Sequence, residues 1–443
     1  MDHKKRVGVV ADDITGSNDI GVMLAGNGYL SGIFSLKSMP SIDDAAGLDA
    51  VIINTDSRLD DSKTAAAKTE EACRFLQSLP CGMYHSKTCS VFRGNIGAQF
   101  DAMQRALDIR CSMVVLGFPG NGRTTVHGIH YVNGVELSDT MFRHDPIHPM
   151  TQSNLQTILQ SQSRGRAAVF DCALLDLTED AARRELNALK EINEYVIFDV
   201  RNQRDLKTIA ALIAEEKSIC GSSAICEELP KVWAGGHTLT SGIQRLVHKV
   251  ADPCGTFVIS GSLTKTAREQ VNHLLNTGVF GAELNTLDLF DENKRRAQIE
   301  TLAERLCATL ESGVPALLYT AGEESTVQNT KKAGRTLGLN DVAVGRLVSQ
   351  TLGETVSLVS ARTNVKKVVA AGGETSSAVA EGLDIFKMVI LNEIEAGVPA
   401  MYGYTKKGAE MLLVFKSGSF GSTAFLEKSI TCLKRLQEGS LPK

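Results

Sequence analysis

A chain of 443 residues, 43% hydrophobic and 22% charged, is ordinary globular material but longer than one core comfortably fills, so two domains are expected. Its formal charge of −4 at pH 7 offers no field for a polyanion and argues against nucleic acid as a partner, while no run approaches about 20 apolar residues, so no membrane partner is expected. Ten cysteines scattered singly, and an opening MDHKKRVGVVADD whose apolar run is too short for a secretory segment, point to a reducing cytoplasm.

In chain order, RVGVVA (6–11), AVIINT (50–55), SMVVLG (112–117), AAVFD (167–171) and YVIFDV (195–200) read as buried strands. Between them SKTAAAKTEEACRFLQSL (62–79), TEDAARRELNALKEI (178–192) and RDLKTIAALIAEEK (204–217) read as helices. Strict alternation implies a parallel, doubly wound sheet. The rhythm falters between 120 and 150, where Gly128, Gly134, Pro146 and Pro149 interrupt the chain; this stretch reads as a long functional excursion rather than a core element. A second series starts with TFVIS at 256 and continues through PALLYT (315–320), KKVVAA (366–371) and MLLVFK (411–416). The expected architecture is α/β, with two domains, each a largely parallel sheet flanked by helices, and a ligand cleft between them. The boundaries fall at 1–240, a linker at 241–255, and 256–443.

In open α/β sheets, ligands gather at the carboxyl ends of the strands. There the first domain presents Asp12 and Asp13, then TDSR with Arg58, then HSKTCSVFRGN with Lys87, Ser90 and Arg93, then FPGNGRTT with Arg123. Carboxylates beside fixed cations and hydroxyls suit a small hydroxylated anion, gripped by Arg or Lys at its carboxylate and by Asp at its hydroxyls. Taken singly, Asp13 or Thr15 is equally well a helix N-cap and Arg58 a solvated surface residue.

The second domain differs. VISGSLTKT, VVAAGGETSSAV and LVFKSGSFG each run from a strand through a small Gly-rich turn into a helical segment, the arrangement that presents free N–H groups to phosphate. GFPGNGRT (117–124) has the spacing of a P-loop with Arg123 for lysine, but the Gly-broken, β-rich TVHGIHYVNG that follows is no helix, so the P-loop is rejected. His127 with His130, and His144 with His148, have metal-like spacing, yet Pro146 breaks the second pair and no acid or cysteine stands at a telling distance in sequence; no metal ligand is assigned. A sugar-acid sensor without chemistry would need no phosphate turns, and a nicotinamide enzyme would want G-x-G-x-x-G after the first strand.

ADDITGSNDIG, TDSR, KTCSVFRGNIG, P-x-x-G-R-T-T, DPIHP followed by Ser153, GS after a strand, GGETS, EIEAGVP and KSGSFG stand in the order found in the four-carbon acid sugar kinase family. The resemblance spans nearly the whole chain. It implies an ATP-dependent kinase acting on the terminal hydroxyl of threonate or erythronate, with an N-terminal substrate domain and a C-terminal nucleotide domain. The GSND version of the first motif is most similar to D-threonate kinases.

Asp12, Arg58 and the Lys87–Ser90 stretch then resemble substrate contacts, while Ser262, the turn of Gly372, Gly373, Glu374 and Thr375, and Gly418 resemble the ATP site. Where the family's usual motif reads K-x-D-S-T-L-R-G-N, this chain has Cys89 in place of the aspartate. The implied chemistry makes Asp12 or Asp13 the base. Arg58, Lys87 and Arg93 serve the carboxylate or the transferring phosphate, Arg123 is a further substrate cation, and Lys416 is an added cation at the nucleotide. Mg2+ bridges the phosphates, and domain closure excludes water. The partners are a sugar acid and ATP, and a homo-oligomer is left open.

Overall fold

The computed structural model describes residues 4–440 apart from 146, 236, 238–242, 244 and 245. Pro146 and part of the expected linker at 241–255 lie outside the described residues. The chain divides into two compact units, Met1–Ser241 and Gly242–Lys443.

In the first unit the strands are β1 (Val7–Ala11), β2 (Ser31–Ser35), β3 (Ala50–Asn54), β4 (Met83–Lys87), β5 (Ser112–Val115), β6 (Arg123–Val126), β7 (Ile129–Val132), β8 (Val135–Glu136), β9 (Ala167–Phe170), β10 (Tyr195–Phe198) and β11 (Ser218–Gly221). The main sheet runs β2-β3-β1-β4-β11-β5-β10-β9, with every pair parallel. Strand β11, last in the unit, therefore sits in the middle, between β4 and β5. VGVVA and AVIIN are buried at every residue, as strands covered by helices on both faces must be. Caps start the helices where the sequence predicts them: Asp61 accepts from the Lys63 and Thr64 amides at the head of Ser62–Gln77, and Asn202 does the same for Gln203–Ile213.

Strands β2, β4 and β11 are not anticipated by the β-branched pattern. The excursion after residue 120 is an antiparallel ribbon, β6-β7-β8, followed by 3-10 turns at Leu137–Asp139 and Met141–His144. A bridge between Thr125 and Val200 ties the ribbon to the end of β10. FPGNGRT thus leads into strand β6 and not into a helix.

The second unit holds β12 (Phe257–Ser260), β13 (Phe280–Leu284), β14 (Ala316–Thr320), β15 (Lys367–Ala371), β16 (Ile385–Glu395), β17 (Val398–Thr405) and β18 (Glu410–Lys416). Its order is β13-β14-β12-β15-β18-β17-β16. The run from β13 to β18 is parallel, and β18-β17-β16 is an antiparallel meander. No helix among the described residues is long and apolar enough to cross a membrane.

Candidate active site

The chain leaves β1 at Asp12, whose carboxylate is 1% exposed. The carbonyl of Asp12 accepts from the amides of Ser57 (2.9 Å) and Arg58 (3.2 Å), which folds the TDSR turn back over the acidic pair. Arg58 then grips Asp12 with two hydrogen bonds, Nε to Oδ2 at 2.8 Å and Nη2 to Oδ1 at 2.6 Å, and reaches Asp13 Oδ2 through Nη1. Such a fork is the strong form of an ion pair.

The two acids are not equivalent. Asp13 is the N-cap of the helix Ile14–Ala25, its Oδ1 accepting from Thr15 N (3.2 Å) and Gly16 N (2.7 Å). Burial works to raise its pKa, but Arg58, Lys87 and these two amides outweigh it and hold the carboxyl below the usual range. For Asp12 burial prevails even against Arg58, and its pKa is raised.

Lys87 ends β4 and is 3% exposed. Its ammonium donates to the Thr88 carbonyl at 2.9 Å and stands 3.2 Å from Asp19 Oδ2, which also accepts from Ser223 Oγ at 2.6 Å. The loop after β4 closes the cluster: a Cβ on Gly94 would stand 3.4 Å from Asp12 Oδ2. Cys89, in that loop, is half-buried; desolvation raises its thiol's pKa, but Arg93 and Arg58 beside it bring it below its ordinary value.

Asp145 and His148, from the DPIHP motif, hold the cations in place. Asp145 accepts from Arg93 Nη1 at 2.7 Å, and His148 Nε2 donates to the Arg58 carbonyl at 2.7 Å. From the ribbon, His130 Nε2 donates to the Ser90 carbonyl at 3.0 Å. Arg123 lodges on Asn121, 3.3 Å from its Oδ1, with its own Nε buried and unpartnered.

In the second unit the three Gly-rich turns pack on one another. Gly372 has φ +122, and a Cβ there would come within 2.8 Å of Thr375 Oγ1, while one on Gly418 would come within 1.9 Å of Ser262 Oγ. Only glycine lets these backbones approach so closely. Thr264 caps the helix Lys265–Asn276 and donates to the Gly418 carbonyl at 2.8 Å. The Gly373–Gly382 helix opens directly on the Gly372 turn, with Gly373, Glu374 and Thr375 in its first turn. The hydroxyl of Ser260, at the end of β12, is buried without a partner. Lys416, 1% exposed, ends β18 next to the cradle. Its ammonium is 3.5 Å from the Gly418 carbonyl and 5.8 Å from the Phe425 ring, and burial brings its pKa down to about 8. Amides at a helix start, hydroxyls and a desolvated cation together suit phosphate.

Comparison with known proteins matches residues 7–229 to a sugar-binding N-terminal domain and 257–426 to a nucleotide-binding C-terminal domain. The 3-oxo-tetronate kinase of Brucella melitensis biotype 1 is 30% identical over 432 residues, covering 96% of this chain and 94% of that protein. The chain belongs to the four-carbon acid sugar kinase family. This kinase is also 28% identical over 426 residues to the D-threonate kinase of Salmonella typhimurium, covering 94% of the chain and 96% of its relative. A crystal structure from Salmonella typhimurium LT2 superposes with a TM-score of 0.81 at 26% identity, covering 96% of the kinase and 98% of that chain. Membership makes the protein a phosphotransferase.

Within the first unit Asp12, Asp13, Arg58 and Lys87 form one hydrogen-bonded and electrostatic cluster. Arg93 joins it from the loop after β4, Ser90 enters through its carbonyl, and Arg123 sits at the start of the ribbon. In the second unit Ser262 stands beside both Gly372 and Gly418, and Thr375 beside Gly372. Four further residues belong to the site: Asp19, Ser223, Asp145 and His148. Asp19 lies within the first motif, in the helix that Asp13 caps, and Asp145 and His148 are the polar members of DPIHP. Ser223 follows β11, a strand whose one β-branched residue, Ile219, is too little to flag it.

Proposed function

We propose that this kinase transfers the γ-phosphoryl group of ATP to the terminal, 4-hydroxyl of a four-carbon sugar acid, giving the 4-phosphate and ADP. Residues 1–240 take the acid and 256–443 take ATP. The observation that carries the reading is the Arg58 fork on a buried acid at the mouth of a helix, with Lys87 alongside it.

An incoming substrate carboxylate competes with Asp12 for Arg58, and each oxygen of Asp12 released from the fork becomes available to a substrate hydroxyl. With its pKa already raised, Asp12 is the better proton acceptor. As the 4-oxygen forms its bond to phosphorus and the bond to the ADP oxygen breaks, the hydroxyl proton passes to Asp12. Asp13, fixed as a cap, orients the hydroxyls. Arg93 and Arg123 serve the carboxylate end. The cradle of Ser262, Gly372, Gly373, Thr375 and Gly418 receives the ATP phosphates, with Lys416 as their cation. Glu374, the acid of the cradle, would hold Mg2+, which would supply charge neutralisation at the transferring phosphate. Ten free cysteines suit the cytoplasm.

Between candidate acids the site favours 3-oxo-tetronate. A 3-hydroxyl wants an acceptor such as the family's aspartate, whereas Cys89 with Arg93 and Arg58 around it offers donors, which suit a carbonyl oxygen. The Brucella relative's name agrees. D-threonate is the second reading, supported by the GSND motif and the Salmonella relative. Coupled ATP consumption with each acid, followed by identification of the phosphorylated carbon, tests both levels. Higher kcat/KM on 3-oxo-tetronate is expected. Preference for D-threonate overturns the choice of acid, and no turnover of any four-carbon acid overturns the function.

A further inference from the structure

Away from the acidic pair, the first unit gathers four side chains from three separate places in the chain. His127 comes from the β6–β7 turn, Asp171 and Cys172 follow β9, and Asp199 follows β10. One donor atom of each lies within 4.8 Å of all the others. His127 does not pair with His130, as the sequence spacing would suggest. The ring of His130 is buried and bonded to Thr125 Oγ1 (3.1 Å) and the Ser90 carbonyl, while His127 Nδ1 meets Asp171 Oδ2 at 2.5 Å.

The carboxylate of Asp199 is fully buried and held by three amides: His127 N (2.7 Å) and Cys172 N (3.0 Å) on Oδ2, and Gly128 N (2.9 Å) on Oδ1. That uses both lone pairs of Oδ2 and one of Oδ1, so a single acceptor position remains on a carboxylate that lies within 4.8 Å of the other three donors. Among the described residues no lysine or arginine bridges Asp199. A second carboxylate and a thiol stand next to it. Two acids, a thiol and an imidazole so placed lack one thing, a compact cation.

We infer that His127, Asp171, Cys172 and Asp199 bind one Zn2+ ion, which clamps the tip of the ribbon to the ends of β9 and β10. The donors are one nitrogen, one sulfur and two oxygens, a set that Zn2+ accepts and the hard cations Mg2+ and Ca2+ do not. Ligands of a tetrahedral zinc stand about 3.3–3.7 Å apart, so the His127–Asp171 contact at 2.5 Å opens slightly and any wider gap, none above 4.8 Å, closes. The His127 side chain, 71% exposed, is free to make that movement. Binding forms a Zn–S bond as the Cys172 thiol proton leaves to solvent. The amides on Asp199 act as the outer hydrogen bonds that orient a ligating carboxylate. The ribbon carries Arg123 at its start and His130 against the Ser90 carbonyl, so the clamp steadies the substrate side of the enzyme without touching the reacting atoms.

The test uses the full-length enzyme, reduced, stripped by a chelator and free of nucleotide. Titration with Zn2+ alone against a chromophoric chelator is expected to show one tight site per chain and a rise in melting temperature. Co2+ in place of Zn2+ is expected to give a thiolate-to-cobalt absorption that disappears in Cys172→Ser and persists in Cys89→Ser. His127→Asn keeps the fold intact by design. Both turn residues have positive φ, +52 at 127 and +74 at Gly128, and Asn-Gly is the preferred pair for such a turn. This variant is expected to lose at least about tenfold in Zn2+ affinity together with the zinc-induced rise in melting temperature. Absence of a stoichiometric site, or a cobalt–thiolate band that survives Cys172→Ser, overturns the proposal. So does unchanged affinity in a folded His127→Asn.

Discussion

Replacing Lys416 with methionine keeps the length of the stem and deletes the charge, and it separates two effects that a surface lysine would not show. The ammonium is almost wholly buried, and its fall from an ordinary 10.5 to about 8 corresponds to about 3 kcal/mol against the charged form. The nucleotide-free variant should therefore be more stable at pH 7. After the lost contact with the Phe425 ring is discounted, about 1–3 kcal/mol remains, which is roughly 2–12 °C in melting temperature for a unit of this size.

ATP binding should move the other way. A charge-assisted hydrogen bond to phosphate contributes about 1.5–3 kcal/mol, so Kd should rise about 10- to 100-fold. The pH dependence has a definite sign. Below pH 8 the wild-type lysine is charged, and ATP affinity is flat. Above it the free enzyme loses the proton that phosphate needs, and affinity falls by up to about tenfold per pH unit, whereas the variant stays flat. Because the folded pKa lies below the unfolded one, the wild-type protein also gains stability between pH 8 and 10.5, and the variant does not. Calorimetry of unfolding and of ATP binding across pH 7 to 10 measures all of this. A melting temperature that falls, with ATP affinity unchanged within about twofold, would refute the assignment and leave Lys416 a packing residue.

The acidic pair should divide its labour. Asp12→Asn is expected to lose about two to four orders of magnitude in kcat, while Asp13→Asn, which still caps the helix, should chiefly raise KM for the acid; steady-state kinetics with circular dichroism distinguishes them, and the reverse pattern would make Asp13 the base. Gly418→Ala places a methyl on Ser262 Oγ, so KM for ATP should rise at least about tenfold with KM for the acid little changed; an effect confined to the acid would place the cradle wrongly. Arg123→Ala should raise KM for the acid and leave ATP affinity intact, and loss of ATP binding alone would restore the rejected P-loop.

Legibility in the sequence followed side-chain type. VGVVA, AVIIN, SMVV, AAVF and YVIF are recognisable because β-branched and aromatic residues fill both faces of a covered strand. SGIFS, MYHSK and SICG escape because their strand character comes from their neighbours. Ser86 and Lys87 are buried in β4 only because parallel partners and the acidic cluster receive them. Strands β16 and β17 are similarly hidden, though MLLVFK in β18 is legible: EIEAGVP reads as a motif and its turn at Gly397 only becomes a hairpin through the pairing of β16 with β17.

The acids and cations of the site stand out as charge at strand ends. The residues that fix them do not, because Asp145 and Arg93 are 52 positions apart and His148 and Arg58 are 90 apart, and no local pattern encodes such distances. For the same reason His127 appeared to belong with His130, when its actual neighbours are Asp171 and Cys172.

The placement of β11 has a consequence for synthesis on the ribosome. It slots between β4 and β5, with Ser218 Oγ against Ser112 Oγ at 2.8 Å and Gly221 so close to the Val115 carbonyl that a Cβ would sit 2.2 Å from it. Strands β4 and β5 are complete by residue 115, yet the groove between them stays unfilled until residue 221 has emerged. At about 5–20 residues per second, two strand edges wait for several seconds or longer with their backbone amides and carbonyls unpaired, open to any stray strand. A nascent chain halted near residue 215 should be protease-sensitive and should recruit chaperones, and one halted near 260, with β11 past the exit tunnel, should not. In this enzyme four short residues late in the first unit decide when that unit can finish folding.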